Sequence, residues 1–345
     1  MNAEITDTSV AGQISLPRLW PGAAVLAGLP VLAAMALRGC PPWVLMWGLA
    51  AALWLGLKFV TLLDVWESGL RPRACSLLGY VAGWPGMDGA RFFNRRGAVN
   101  PEQPSCNQTA TFSRASTAKP SQPAQTFRSY LTQLTLLTCL TLPSGLLNIT
   151  LGLAMLYVAT PAAQSLSWLL SGWLGMAGLI LVLHFGIFQL LAKLWQERGV
   201  NVVPLMDAPF RAMSLSEFWG RRWNTGFSLP ARRYLLQPLM RRIGVRQATL
   251  VVFLVSGLMH ELVISVPAGW GYGLPSGYFL LQGVGAMIER SARGRALGLG
   301  KGWRGGALTW LCAAAPAFWL FHPRFVERVM IPFLKTIGAL KGVSL

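Results

Sequence analysis

SYLTQLTLLTCLTLPSGLLNITLGLAMLYVATPAAQSLSWLLSGWLGMAGLILVLHFGIFQLLA, residues 129–192, is the stretch that decides the fold. It contains no Asp, Glu, Lys or Arg. Because a helix needs roughly 20 apolar residues to cross the hydrocarbon core, this stretch predicts two crossings, split near Ala159-Thr160-Pro161. The apolar character is continuous rather than alternating, so the spans are predicted as helices and not as strands of a barrel.

The composition of the whole chain agrees with a membrane location. Of 345 residues, 53% are hydrophobic and only 12% are charged, whereas a soluble domain carries about 25% charged residues. The 15 Trp residues fit the headgroup boundary, which indole rings favour. Much of the surface is therefore expected to face lipid.

Further apolar runs predict further spans. The run 41–63 is interrupted only by Lys58, near enough to one end for its ammonium to reach the interface. We predict an all-α, polytopic transmembrane bundle of about 7–9 spans with interfacial or re-entrant helices. The remaining predicted spans are 19–37, 248–266, 271–288 and 305–321.

The distribution of basic residues predicts how the chain is oriented across the membrane. The net charge is +18, and 23 of the 30 Lys and Arg residues lie in segments 64–128, 193–247 and 289–304. The positive-inside rule explains this placement with all three segments cytoplasmic, so contact with nucleic acid is not predicted.

The chain is interpreted as one multi-pass domain, 1–345, with a flexible cytoplasmic linker at 97–126. The five Cys residues are scattered without a CxxC pair, so no metal site is predicted.

His260 is the main candidate for chemistry. It lies roughly 18 Å along the fifth predicted span, near mid-membrane, where an ionisable side chain suggests function. Ser256 and Gly257 share its helix face, and their small side chains are expected to leave space beside the imidazole. The alternative is a structural histidine satisfied in the bundle core. The adjacent Glu261 favours function, because two polar groups at one depth need a shared polar cavity.

Several familiar chemistries are excluded by spacing. An HExxH zinc site would need a histidine where Ile264 stands, and a GxSxG elbow around Ser256 would need glycines at Leu254 and Leu258. No Walker loop or GxGxxG motif occurs. What remains is a general base, and an imidazole with an unperturbed pKa near 6.5 suits the deprotonation of an alcohol that attacks a carbonyl.

A second feature is the segment SLSEFWGRRWN, residues 214–224. Trp and Phe interleaved with Arg are typical of a helix at the membrane interface. Asn224 is able to donate an amide hydrogen bond to a carbonyl oxygen that gains negative charge. The other interpretation is an amphipathic connector with an aromatic belt, and periodicity alone favours it slightly.

The order of SLSEFWGRRWN and the later membrane-embedded SGLMHEL resembles the membrane-bound O-acyltransferase superfamily, and within it the long-chain-alcohol O-fatty-acyltransferases of the wax-synthase type. The Trp84–Asp88 run WPGMD and the His184-Phe-Gly segment are similar to that branch as well. The resemblance extends over about residues 20–335, apart from the 97–126 linker.

The resemblance implies a membrane-buried chamber where acyl-CoA and a lipophilic alcohol meet without an acyl-enzyme intermediate. His260 would act as general base and Asn224 would polarise the thioester. No cofactor is implied beyond acyl-CoA as co-substrate. The predicted substrate-binding residues are Trp219, Trp223, Arg221, Arg222, Ser256, Gly257 and His184, the last with a core role as its alternative.

The arginines of the second basic segment have two explanations, contact with CoA phosphates or the charge bias of a cytoplasmic loop. The predicted product is a wax-type ester. The alternatives left open are a sterol, diacylglycerol or sugar acceptor, and, in a different class, a proton-coupled transporter using His260 and Glu261. The arginines in question are Arg221, Arg222, Arg232, Arg233, Arg241 and Arg242.

Overall fold

The computed structural model describes residues 20–94 and 143–341, and the regular elements in these two ranges are helices. The predicted linker 97–126 lies outside them. Helix α1, Trp20–Ala36, and helix α2, Pro42–Glu67, form an antiparallel hairpin. A Cβ on Gly56 of α2 would lie 3.0 Å from the Leu26 Cα of α1, so the missing side chain allows close backbone approach. Two short helices follow, α3 at Ala74–Gly83 and α4 at Gly89–Phe93.

The charge-free stretch forms a second antiparallel hairpin, α5 at Pro143–Ala163 and α6 at Trp168–Glu197. The break therefore comes just after the predicted position, because α5 continues through Pro161 as far as Ala163. The two helices approach each other most closely at Gly152 and Gly178, since a Cβ on either glycine would lie within 3 Å of the other's carbonyl oxygen. Large apolar side chains on α5 point outward, as expected for lipid contact, and Leu147 and Val158 are about two-thirds exposed.

Helix α8 differs most from the sequence prediction. We number the short helix Leu215–Glu217 as α7, and α8 then runs over Thr225–Ala268, whereas the sequence predicted a span beginning at 248. It consists of two helices joined at Gly244, whose φ of 81° and ψ of 165° are not helical, and the first of the two is rich in exposed arginine. Arginine is a good helix former, so a charged helix lies where low hydrophobicity suggested a connector. Helix α9, Leu274–Arg290, packs antiparallel against the second half of α8.

Four of these helices, α2, α5, α6 and α8, are long and apolar enough to span a membrane. Three predicted spans correspond to shorter helices, namely α1 and α9 with 17 residues each and α11, Gly302–Ala314, with 13. The short helix α10, Ala292–Ala296, lies between α9 and α11. The described part of the chain is thus all-helical, with several helices able to cross a bilayer.

The C-terminal region is part of the core rather than a peripheral tail. Helix α12, Ala317–Leu320, is followed by a continuous helical run of three pieces, Pro323–Phe325, Val326–Met330 and Ile331–Thr336, which we call α13. Val326, Val329 and Leu334 have no exposed surface. They pack on the glycine face of α6, where side chains at Gly172 and Gly175 would collide with Val326 and Leu334.

Candidate active site

The segment leading to Asn224 is folded by its own polar side chains. The Ser214 Oγ accepts a hydrogen bond from the Glu217 N–H at 3.0 Å, and the Glu217 carboxylate accepts one from the Met213 N–H at 2.9 Å. This reciprocal arrangement is of the capping-box type, in which a Ser and a later Glu satisfy free N–H groups at a helix start. It begins α7, which continues as the π-helical turn Phe218–Arg222.

A buried carboxylate from α9 holds the same segment. Glu289 is only 4% exposed. Its Oε2 accepts a hydrogen bond from the Leu215 N–H at 2.8 Å, and its Oε1 accepts one from the Ser216 N–H at 3.0 Å and another from the Ser216 hydroxyl. Hydrogen bonds to an ionised acceptor are the strong kind, so Glu289 fixes the start of α7 against α9.

Arg222, predicted to contact substrate, is engaged within its own segment. Its Nε lies 2.7 Å from the Glu217 Oε1, and its Nη1 donates to the Asp207 carbonyl at 3.0 Å. The hydrogen bond from the Met213 N–H, followed by the Arg222 guanidinium, holds the pKa of Glu217 below its usual range. Arg221 is exposed and has no ion pair within residues 20–94 and 143–341, which makes it the freer of the two for an anionic ligand.

Asn224 occupies a sharp turn between the π-helical turn and α8. Its backbone is left-handed, with φ +47° and ψ +60°, a conformation that asparagine tolerates better than most residues. Its N–H faces the Met206 Sδ at 3.4 Å, and the next N–H, of Thr225, donates to the Leu205 carbonyl at 2.9 Å. The Asn224 carboxamide makes no hydrogen bond with any residue in the described ranges, so its donor is available to a ligand.

The turn after Asn224 packs on the WPGMD run. A Cβ on Gly226 would lie 3.2 Å from the Gly86 Cα, so the two backbones meet directly. Met87 and Thr225 line a small cleft at this contact. Two of the motifs on which the family resemblance rests, far apart in sequence, are therefore neighbours in the fold.

Lys58 holds the WPGMD run in place. The sequence predicted that its ammonium reaches the membrane interface, but the side chain is only 1% exposed. Its Nζ donates to the carbonyls of Tyr80, Trp84 and Gly86 at 2.8, 2.7 and 2.6 Å. It also lies 3.6 Å from the Tyr80 ring centroid, a cation–π contact. The three ammonium protons thus have three carbonyl acceptors, which explains how a lysine is buried there.

His260 lies where α8 changes to a π-helical turn, Glu261–Ser265. Its Nδ1 is 2.7 Å from the Ser256 carbonyl oxygen. A carbonyl only accepts, so the Nδ1 carries the proton and the Nε2 of the neutral ring is left with a free lone pair. The ring packs on Phe279 at a centroid distance of 4.4 Å. A π-helical turn at this point is notable because such turns are frequent at functional sites.

Aromatic side chains connect the two candidate regions. Trp219 packs on Phe279 at 5.4 Å between centroids, so Trp219 and His260 contact the same ring. The Trp219 indole N–H donates to the Oε1 of the fully buried Gln282 at 3.3 Å. No hydrogen bond joins His260 to Asn224 in the described part of the chain. The roles of both residues stay predictions.

Ser256 and Gly257 have different surroundings. Ser256 positions His260 through its carbonyl oxygen. Gly257 is buried in the crossing of α8 and α9, where a Cβ would lie 2.7 Å from the Ser276 Cα. The backbone of α9 therefore occupies the space expected beside Gly257, and a part for Gly257 in substrate binding stays a prediction.

Trp223 belongs to the same aromatic network as Trp219, because Phe218 packs on both, whereas His184 has a different aromatic neighbour. Trp223 stacks on Phe218 at 5.5 Å and contacts Phe185 at 6.3 Å, while His184 packs on Phe188 at 5.2 Å. The His184 Nδ1 is buried without a hydrogen-bond partner among the described residues. This surrounding is compatible both with a chamber wall and with a core position.

The more distant arginines do not share one environment. Arg233 forms an ion pair with Asp64 of α2 at 2.7 Å, and Tyr234 donates to the same carboxylate at 3.1 Å. Arg232, Arg241 and Arg242 are exposed. Arg233 is therefore used to join α8 to α2, and the other three are accessible to anions. No three His, Cys, Asp or Glu side chains in the described ranges are grouped as a metal site.

Sequence reasoning did not identify the polar residues that hold the site. In the sequence Glu289 lies within a basic segment, and no motif singles out Gln282 or Tyr80. One signal was available, since a Glu and a Gln inside otherwise apolar runs need buried partners. The identity of those partners depends on which helices are neighbours, and only the tertiary structure shows that.

Comparison with known proteins agrees with these motifs. A sequence profile described as "Membrane bound O-acyl transferase family" matches residues 202–280, the range that contains Asn224, His260 and the contact between α8 and α9. The resemblance to this family, stated above from the two motifs, is confirmed.

Individual relatives indicate which branch of the family the chain is similar to. The chain is 34% identical over 143 residues to "Long-chain-alcohol O-fatty-acyltransferase" of Simmondsia chinensis, an alignment that covers 37% of this chain and 40% of the relative. It is 30% identical over 161 residues to "Probable long-chain-alcohol O-fatty-acyltransferase 2" of Arabidopsis thaliana, covering 41% and 46%. It is also 29% identical over 146 residues to "Acyl-CoA--sterol O-acyltransferase 1" of the same plant, covering 36% and 39%. The alignments thus span under half the length of these curated relatives.

Proposed function

We propose that this chain, which belongs to the membrane bound O-acyl transferase family, transfers a fatty acyl group from acyl-CoA to the hydroxyl of a lipophilic long-chain alcohol. One observation carries the proposal: the family-matched segment 202–280 contains both Asn224, with an available carboxamide, and His260, with an available Nε2. The names of the relatives supply the substrate classes, a fatty acyl donor and a long-chain alcohol.

His260 is the proposed general base. Its Nδ1 donates to the Ser256 carbonyl, so the Nε2 takes the proton of the alcohol as the alcohol oxygen attacks the thioester carbonyl carbon. The Asn224 carboxamide donates to the carbonyl oxygen, which gains negative charge during the attack. The C–S bond then breaks, and the imidazolium returns its proton to the CoA thiolate. The products are the ester and CoA, and no acyl-enzyme forms.

The membrane arrangement follows from the same proposal. The shorter helices α1, α9 and α11, which correspond to predicted spans, complete a bundle of about 7–9 spans together with the four long helices. The basic segments face the cytoplasm, where Arg221 and the exposed arginines of α8 meet the phosphates of CoA. The alcohol enters from the lipid. The domain extends over residues 1–345.

An ester-synthesis assay tests the proposal. Membranes that contain the protein receive labelled palmitoyl-CoA with hexadecanol, and membranes from the same host without the protein serve as the control. We expect labelled palmityl palmitate only in the first sample. If labelled palmitoyl-CoA is consumed with no ester of any added alcohol, the proposed reaction is wrong.

A sterol is the second candidate acceptor, because one relative is named for acyl transfer to sterols. The same assay with cholesterol replacing hexadecanol distinguishes the two. A wax-type enzyme makes at least about tenfold more ester from hexadecanol, whereas a preference for cholesterol would move the assignment to the sterol branch.

A further inference from the structure

The ends of α8 and α9 enclose a cavity that the proposed mechanism does not use. The second part of α8 begins after Gly244 and α9 ends at Arg290, and because the two helices are antiparallel, these ends are neighbours. The cavity between them has a volume of about 190 Å³, and we call it the α8–α9 cavity. Its lining includes three apolar side chains and two arginines, namely Val245, Ala286, Met287, Arg246 and Arg290.

The two arginines of the α8–α9 cavity are not neutralised by acidic side chains. Neither Arg246 nor Arg290 forms an ion pair with a residue of 20–94 or 143–341. Glu289, the neighbour of Arg290 in sequence, has both oxygens occupied by the start of α7. Two like charges that line one cavity repel each other, and an anion between them offsets that repulsion. The cavity therefore has the charge of an anion site.

Two hydroxyl groups line the same cavity, but the backbone already uses their protons. The Thr249 Oγ1 donates to the Val245 carbonyl at 2.8 Å, and the Ser291 Oγ donates to the Ile288 carbonyl at 2.7 Å. A hydroxyl has only one proton to donate. The side-chain donors left for an anion in the described lining are thus the two guanidinium groups, which are suited to bidentate contact with phosphate.

An apolar surface continues from the cavity along α9. Leu281, Val284 and Ile288 are exposed and spaced three and four residues apart, so they form one strip toward the middle of the predicted span. Met287 of the cavity wall lies beside this strip and three residues before Arg290, which separates apolar and charged surface by only about one helical turn, roughly 5 Å. A ligand that fits both has its anionic group directly next to a hydrocarbon chain.

We propose that the α8–α9 cavity binds the headgroup of an anionic glycerophospholipid, with the phosphate between Arg246 and Arg290 and an acyl chain along Val284 and Ile288. Basic pockets between transmembrane helices bind anionic lipid headgroups. A zwitterionic lipid fits less well, because the guanidinium groups repel its ammonium and the described lining has no carboxylate to hold it. Acyl-CoA fits less well because its polar pantetheine arm separates the phosphates from the acyl chain, whereas charged and apolar surfaces adjoin here.

The test uses variants that remove one guanidinium each, Arg246→Gln and Arg290→Gln. Both arginines are exposed and form no ion pair in the described ranges, so the variants should fold with the yield of wild type. Arg304→Gln is the matched control, because Arg304 is also exposed and does not line the cavity. Arg246→Lys keeps the charge and loses only the bidentate contact.

The first measurement is the lipid dependence of Tm for the purified protein in detergent micelles. Dioleoylphosphatidylglycerol is titrated, and dioleoylphosphatidylcholine, with the same acyl chains, is the reference. Wild type and Arg304→Gln should gain a higher Tm from the anionic lipid than from the reference. The concentration that gives half of this rise should increase about fivefold in Arg246→Gln and in Arg290→Gln, and less in Arg246→Lys. Equal titrations in wild type and both glutamine variants, or an equal rise with the two lipids in wild type, would overturn the proposal.

The second measurement distinguishes the lipid from other phosphates. Glycerol 3-phosphate, which has the phosphate without the acyl chains, and CoA each replace the lipid in the same assay. Glycerol 3-phosphate should give no rise, and any rise with CoA should be equal in wild type, Arg246→Gln and Arg290→Gln. A rise with glycerol 3-phosphate that needs both arginines, or a rise with CoA that both variants lose, would overturn the proposal. Neither measurement requires ester synthesis, so its outcome is independent of the proposed function.

Discussion

The two ends of α9 are each held by a carboxylate, but the two carboxylates use their oxygens differently. Near the C-terminal end, both oxygens of Glu289 are occupied by the start of α7. Near the N-terminal end, one oxygen of Glu261 caps the helix and the other has no donor in the described ranges. Lys58, which holds the WPGMD run, follows the first pattern, because its ammonium has three carbonyl acceptors. His322, which contacts the turn before α9, follows the second, because its Nε2 has no partner in the described ranges.

This difference separates polar groups that hold the fold from those that are free to bind. An unsatisfied buried polar atom costs free energy, so a fold keeps few of them without a functional reason. Substitutions at Lys58 and Glu289 are therefore expected to reduce stability, whereas Glu261→Gln, which keeps the capping oxygen, is expected to leave stability nearly unchanged.

The largest effect is expected for Lys58→Met, a substitution of similar length. It leaves the carbonyls of Tyr80, Trp84 and Gly86 buried without a donor, and each such group costs about 1–3 kcal/mol. We expect a folded yield far below wild type and a strongly lowered Tm in detergent. The exposed Lys301→Met serves as control. A Lys58→Met protein with the yield and Tm of Lys301→Met would show that the WPGMD run does not depend on the ammonium.

A smaller effect is expected for Glu289→Gln. The amide offers only one oxygen where two backbone N–H groups and a hydroxyl need acceptors, so the free energy of unfolding should fall by about 2 kcal/mol. Thermal unfolding in nanodiscs measures this, and Glu327→Gln provides the matched exposed control.

The smallest stability effect belongs to Glu261→Gln, the same chemical change at the other end of α9. An oxygen remains for Gly273 and Ser276, and only the charge at the helix N-terminus is lost, a change of about 1 kcal/mol or less. If Glu261→Gln lowers Tm as much as Glu289→Gln, both carboxylates are structural and the contrast between the two ends is wrong.

Hydrophobicity predicted the parts of the fold that face lipid. Helices α2, α5 and α6 were evident because apolar runs of that length have few alternatives in a chain with so little charge. The first half of α8 was missed because its arginines suppress the hydropathy signal although they favour a helix. Lys58 was misjudged because position in a span does not reveal that the backbone of residues 80–86 supplies three acceptors. His260 and Asn224 were recognisable from their motifs, whereas Glu289 and His322 gain meaning only from neighbours distant in sequence.

The central claim is that His260 is the base in ester formation, and one measurement tests it most directly. Ester synthesis from labelled palmitoyl-CoA and hexadecanol is compared for wild type, His260→Ala and Leu258→Ala, with equal amounts of protein in membranes. Leu258 is on the same helix and is half exposed. The account predicts that His260→Ala loses at least about a hundredfold in rate, with a Tm close to that of Leu258→Ala, which retains activity. Full ester synthesis by His260→Ala would contradict it.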